Sequence, residues 1–155
     1  MVSLNLPPFE FRLSQKDGKH YIFDVFRKIP VVLTPEEWVR QHFLMWLVNQ
    51  LGYPKGLIAV ETALKYNQMQ KRADAVVYTK TGHPLMLIEC KAPHIKITQQ
   101  TFEQAASYNF AFKTRYLVLT NGLDHYCCRI DLETKKIIYL QNIPPYSEIS
   151  EEGIL

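Results

Sequence analysis

The sequence predicts an α+β (mixed α/β) fold: a central mixed sheet flanked by helices, preceded by an N-terminal β-hairpin extension. Three observations carry this reading. Extended runs dominate residues 1–33, a sharply capped helix follows, and short apolar strands then enclose a second helix. That order lacks the regular strand–helix alternation of a βαβ series. With 155 residues the chain can bury one full apolar core and is short for two. A single domain is therefore expected, with residues 1–33 as the β extension, 34–140 as the core and 141–155 as a tail.

Residues 9–13 form a first strand-like run leading to Asp17-Gly18, a strong hairpin signal. The return run, 20–27, is rich in aromatic and β-branched residues, and 29–33 stays extended past Pro30. The first helix is marked at both ends. Thr34 is an N-cap, Pro35 sits at the first helical position and Glu37 completes a capping box. Val39, Phe43, Trp46 and Leu47 recur at helical spacing until Gly52 ends the segment, which predicts a helix over 35–51. Strands are predicted over 58–66, 73–79 and 85–91, with a polar turn at 67–71 and a second turn at 80–84. After Pro93 a helix is expected over 98–112, then strands over 116–120, 125–130 and 136–140, and a polar tail with little order from residue 147 onward.

Composition narrows the function classes only modestly. The chain is 47% hydrophobic and 21% charged, ordinary for a soluble globular protein. A net charge of +3 permits contact with nucleic acid without arguing for it. Cys90, Cys127 and Cys128 lack metal-ligand spacing and read as reduced, half-buried thiols. No signal peptide and no membrane helix are expected, so the protein reads as cytoplasmic, without a membrane partner. A P-loop motif is absent, so this sequence does not hydrolyse ATP by that device.

The informative residues are Asp74 in one central strand and Glu89 and Lys91 in the next. Alternation places Asp74 with Val76 and Tyr78, and Glu89 with Lys91, about 6–7 Å apart at Cα. Charges in such apolar strands are costly unless paired or bound to an ion. Phosphodiester cleavage would explain them. Magnesium takes one or two carboxylates plus waters and phosphate, which Asp74 and Glu89 can supply together with the Cys90 backbone carbonyl. Lys91 would then orient the attacking water. The plainer alternative is a salt bridge between Lys91 and either acid.

Arg72-Ala73-Asp74-Ala75-Val76 followed by Glu89-Cys90-Lys91-Ala92-Pro93 resembles the PD-(D/E)xK nuclease signature, with Ala73 in the place of its proline. More closely, these residues resemble the N-terminal nuclease domain of type I restriction enzyme R (motor) subunits. Gln104 and Tyr108 match that family's Gln-x-x-x-Tyr motif, one helical turn apart. The 35–41 segment is similar to its early helix, and the likeness spans about 30–140. The resemblance implies a restriction-endonuclease-like core, with Asp74 and Glu89 as metal ligands and Lys91 as the catalytic lysine. It further implies Gln104 and Tyr108 near the substrate phosphate, with Arg40 and Gln41 as further supporting residues. Mg2+ is the implied cofactor, with Mn2+ as a substitute. DNA and a separate or fused motor or specificity component are the implied partners.

Other residues read more plainly. Glu61 is a possible extra acid at the site, although alternation alone does not fix its face. Glu36 and Glu37 read as helix-start charges that favour the macrodipole. His125, Cys127 and Cys128 lack the spacing of a zinc site. Trp38, Trp46, Phe102, Phe110 and Tyr116 read as core. Lys65, Lys71, Arg72, Lys96, Lys113 and Arg115 read as a solvated face able to touch a DNA backbone. The leading expectation is a DNA endonuclease domain. Its rivals are a catalytically silent nucleic-acid-binding or scaffold module of the same fold, and a structural salt-bridge cluster.

Overall fold

A computed structural model describes residues 1–150. Strands β1 (Leu13–Lys16), β2 (Lys19–Asp24) and β3 (Ile29–Val32) form a three-stranded antiparallel sheet in sequence order. Asp17 and Gly18 both take positive φ, at 52° and 78°, which suits the tight turn that the Asp-Gly pair announces. Of the expected 9–13 run only Leu13 joins a strand. Phe9 and Phe11 stack on each other, and Phe11 packs against Trp38 and His42, so this alternating pattern serves an aromatic cluster.

Helix α1 (Pro35–Leu51) has the bounds its end signals predict. Thr34 Oγ1 accepts from the Glu37 N–H at 3.0 Å, and Gly52 closes the helix at φ 74° with its N–H returned to the Leu47 carbonyl. A six-stranded sheet follows, ordered β4 (Ile58–Tyr66), β5 (Met69–Tyr78), β6 (Pro84–Cys90), β7 (Tyr116–Thr120), β8 (His125–Ile130), β9 (Ile137–Leu140). It consists of two antiparallel meanders, β4-β5-β6 and β7-β8-β9. They meet along one parallel seam, β6 against β7, with Ile88 opposite Val118 and Glu89 opposite Leu119. Parallel neighbours need a crossover, and helix α2 (Gln99–Phe110) supplies it.

The sheet is covered on both faces, hence its almost continuous apolar centre. Val39, Phe43 and Leu47 of α1 pack with Val77, Ile88, Val118 and Cys127. Phe102 and Ala106 of α2 pack with Val76, Leu87, Leu117 and Cys128. The three cysteines are free and fully buried rather than half-buried, and the adjacent pair point to opposite faces. Burial pushes the Cys127 and Cys128 thiols up, Cys128 to about 12.

One irregularity shapes the region of interest. Ile58 and Val60 pack on the α1 side, but Leu64 and Tyr66, an even number of residues further along β4, pack on the α2 side. In β5, Ala75 and Val77 lie on the α1 side while Ala73 lies on the α2 side. Both strands therefore change face at Glu61 and Asp74, and Glu61 holds a left-handed φ of 49° there. A left-handed glutamate costs on the order of 1–3 kcal/mol. The expected grouping of Asp74 with Val76 and Tyr78 fails because strict alternation stops at this kink.

At the end of the described chain, residues expected to lack order form a short helix, α3 (Tyr146–Ile149), whose Tyr146 and Ile149 are buried. Tyr53 donates to the Pro144 carbonyl at 2.7 Å beside it. Residues 151–155 of the expected tail lie outside the described residues. Among the described residues no helix is long and apolar enough to cross a membrane.

Candidate active site

The β5–β6 ladder runs through Val76↔Leu87 and Ala75↔Ile88, so one further step sets Asp74 against Glu89. There the main chain hands over to a side chain. Asp74 Oδ2 accepts the Cys90 N–H at 2.7 Å, standing in for a strand carbonyl at the end of β6. Its other oxygen faces Arg40 of α1, with Nη2 3.6 Å from Oδ1. Glu89 is addressed from the other side. Lys71 Nζ lies 2.8 Å from Glu89 Oε1 and 4.8 Å from the centre of the Tyr108 ring on α2. Among the described residues no other donor reaches this buried oxygen, so the Lys71 ammonium is its one partner. Burial raises the Glu89 pKa and Asp74 adds to the rise, while Lys71 and Lys91 oppose it.

Neither salt bridge that the sequence suggests for Lys91 forms. Among the described residues Lys91 makes no ion pair, and its side chain is exposed just past the end of β6. Its N–H donates to the Thr120 carbonyl at 2.8 Å, which anchors the backbone to the seam. The ammonium is still near enough to lower the pKa of both Glu89 and Glu36. Gln104 and Tyr108 are exposed on α2, with Tyr108 joined to the acids through Lys71.

Arg40 and Gln41 are buried rather than presented to solvent, and they belong to a network that the sequence reading missed. Glu37, read as a helix-start charge, is its centre. It accepts from Arg27 Nη2 at 2.7 Å and from Gln41 Nε2 at 2.9 Å, with Arg40 Nη1 at 3.6 Å. Arg27 also pairs with buried Asp24, which ties the N-terminal sheet to α1. Glu61 stands between Arg27 at 3.1 Å and Arg40 at 3.2 Å, with Arg72 at 3.5 Å. Burial alone would lower the Arg40 pKa, but Glu37 and Asp74 outweigh it and the net shift is upward. Glu36 fits its helix-start reading, although burial and the nearby Asp74 raise its pKa.

The i, i+3 and i, i+4 spacing of Glu37, Arg40 and Gln41 was a usable signal for one face of α1. Lys71 gave no comparable signal, because the kink at Glu61 and Asp74 hides which face it takes. His125 bonds Thr120 and the Asn5 carbonyl and packs on Phe43 and Trp46, so it is structural. Among the described residues no three His, Cys, Asp or Glu side chains form a ready metal cage.

Comparison with known proteins adds the lineage. Residues 35–144 match the family described as the type I restriction enzyme R protein N terminus (HSDR_N). The chain belongs to this family. The matched span runs from the first residue of α1 past β9, and so takes in both acids, Lys91 and the Gln104/Tyr108 pair. A solved fragment assigned as the HsdR subunit of a type I restriction enzyme from Vibrio vulnificus YJ016 has a similar fold, with a TM-score of 0.53. The two are 20% identical over 77% of this chain, which spans 25% of that fragment. No curated protein matches the chain.

Proposed function

We propose that this chain is a metal-dependent endonuclease domain of PD-(D/E)xK type that hydrolyses DNA phosphodiester bonds as part of a type I restriction system. One observation carries the reading. Asp74 and Glu89 converge at the end of β6, and a buried Glu89 oxygen is served by a single lysine on a flexible stem. Hard carboxylate oxygen is what magnesium takes, and two carboxylates suffice because the ion keeps several waters. Asp74, Glu89 and the Cys90 carbonyl would hold it. Glu61, engaged by three arginines, is the least available of the candidate ligands.

When bound, the ion supplies charge neutralisation on the phosphate and a more acidic water. The remaining work belongs to the chain. Lys91, exposed and unpaired, would orient the attacking water and offset the negative charge that develops on the phosphate. Arg40 fixes the Asp74 carboxylate through Oδ1, while the Cys90 N–H fixes Oδ2. Gln104 and Tyr108 lie on the solvent side of α2, where they can meet a phosphate. DNA and the motor or specificity components of a restriction complex are the proposed partners.

A second reading, a catalytically silent binding module, draws on the basic partners of both acids. Lys71 and Arg40 already offset Glu89 and Asp74. Cleavage of supercoiled and linear plasmid DNA in Mg2+ or Mn2+ separates the two. Wild-type chain is expected to cut, and Asp74→Ala and Lys91→Ala to lose at least about a hundredfold in rate. DNA binding without cutting in any metal supports the silent module, and cutting that survives Asp74→Ala sinks the proposed site.

A further inference from the structure

Glu89 and Lys71 form a pair withdrawn from water, with side chains 17% and 19% exposed. A carboxylate so placed needs a counter-charge. Lys71 supplies it at 2.8 Å, and among the described residues no other donor serves the contacted oxygen. The buried oxygen therefore depends on one ammonium for its counter-charge. A divalent cation would offer the same oxygen both charge and a coordinate bond, and two cations at one oxygen repel. The ammonium also lies 4.8 Å from the centre of the Tyr108 ring, whose residue is 53% exposed.

We infer that Lys71 is the resident counter-ion of Glu89, and that a divalent cation reaches this carboxylate by displacing the Lys71 ammonium, which stays perched over Tyr108. The inference rests on the metal-binding reading above and adds a competitor to it. Chemistry favours lysine for the part. Its compact, strongly hydrated charge sits on a flexible stem and binds no oxygen in a fixed fork, so it can withdraw a few ångströms without breaking a bidentate contact. An exposed cation–π contact is weak enough to tolerate that shift and strong enough to keep the ammonium near. In the metal-free chain the arrangement spares Glu89 the cost of an unpaired buried charge. With metal present, the same contact lowers apparent affinity, because Lys71 must first be moved.

The test is Mn2+ binding to the full chain, followed by calorimetry and by the electron paramagnetic resonance signal of free Mn2+. Lys71→Met is expected to bind about tenfold more tightly than wild type, the scale of one charge-assisted contact removed. Lys71→Gln provides the same measurement if the methionine variant folds poorly. Lys71→Arg keeps the charge and adds a fork able to grip both carboxylate oxygens, so it should bind Mn2+ no more tightly than wild type. Lys65→Met, an equal loss of charge without contact to Glu89, should leave the affinity unchanged. On a Glu89→Gln background the advantage of Lys71→Met should vanish.

Wild type and Lys71→Met binding Mn2+ equally would overturn the exchange and leave the nuclease reading standing. Equal tightening by Lys65→Met would reduce the effect to net charge and also overturn it. Failure of every form to bind Mn2+ would overturn both.

Discussion

Arg40→Met tests whether the buried network holds the site together. The guanidinium, on a side chain 5% exposed, stands 3.2 Å from Glu61 and 3.6 Å from both Glu37 and Asp74. Methionine preserves much of the volume and removes the charge. Deleting one member of a buried ion pair costs about 3–5 kcal/mol, mostly from the partner left uncompensated. Only Glu37, 7% exposed, counts in full, and it keeps Arg27 and Gln41. Glu61 is 39% exposed, so water screens its share, and Asp74 retains the Cys90 N–H. The low end of the range, about 3 kcal/mol, is therefore expected. With a urea slope of roughly 1–3 kcal/mol/M, the midpoint should fall by about 1–3 M. Urea titration followed by fluorescence of Trp38 and Trp46 reads this directly. A midpoint within about 0.3 M of wild type at unchanged slope would refute the argument.

Further predictions follow from particular contacts. Burial, with repulsion from Asp74, holds Glu89 above the ordinary carboxylate range, so the folded chain takes up this proton at higher pH than the unfolded one. The associated stability is full below the unfolded value of about 4.3 and is lost as pH rises through the folded value. Glu89→Gln should accordingly gain on wild type in urea titrations as pH rises above about 4.5, and a gain confined to lower pH would contradict the assignment. Gly122→Ala should destabilise by about 1–3 kcal/mol, since a left-handed backbone joins a steric clash. At φ 85° its Cβ would lie 2.8 Å from Leu4 Cδ2 and 3.1 Å from Val39 Cγ2. Because the Asn5 N–H donates to the Gly122 carbonyl at 2.8 Å, the variant should also be nicked faster by protease within its first residues. Unchanged cleavage there would show that Leu4 yields easily.

Local chemistry was legible and long-range geometry was not. Thr34, Pro35 and Gly52 act within a turn of themselves, so α1 was readable to the residue. Asp17-Gly18 and the apolar strands β4, β7 and β8 were equally plain. β5 begins at Met69 rather than 73 because the β4–β5 turn is tighter than its polar composition suggests. Asp74 and Glu89 were legible as odd charges in apolar strands. Which face each takes was not, since a left-handed glutamate in the neighbouring strand shifts the alternation. The same kink concealed Lys71, and only the folded network shows that Glu37 serves the interior rather than the helix dipole.

The parallel seam between β6 and β7 carries a consequence for the order of assembly. Each meander can form from hairpins with short loops, but the seam must close residues 91–115 before any Ile88–Val118 contact forms. The two acids lie in the first meander, while the Lys91 N–H is tied to Thr120 across the seam. Nascent chain can thus align Asp74 with Glu89 well before Lys91 is anchored. Stopped-flow kinetics should find that Val77→Ala slows refolding while Val118→Ala chiefly speeds unfolding. On this ordering the carboxylates come together early, and the lysine reaches its place only when the two halves of the sheet are zipped.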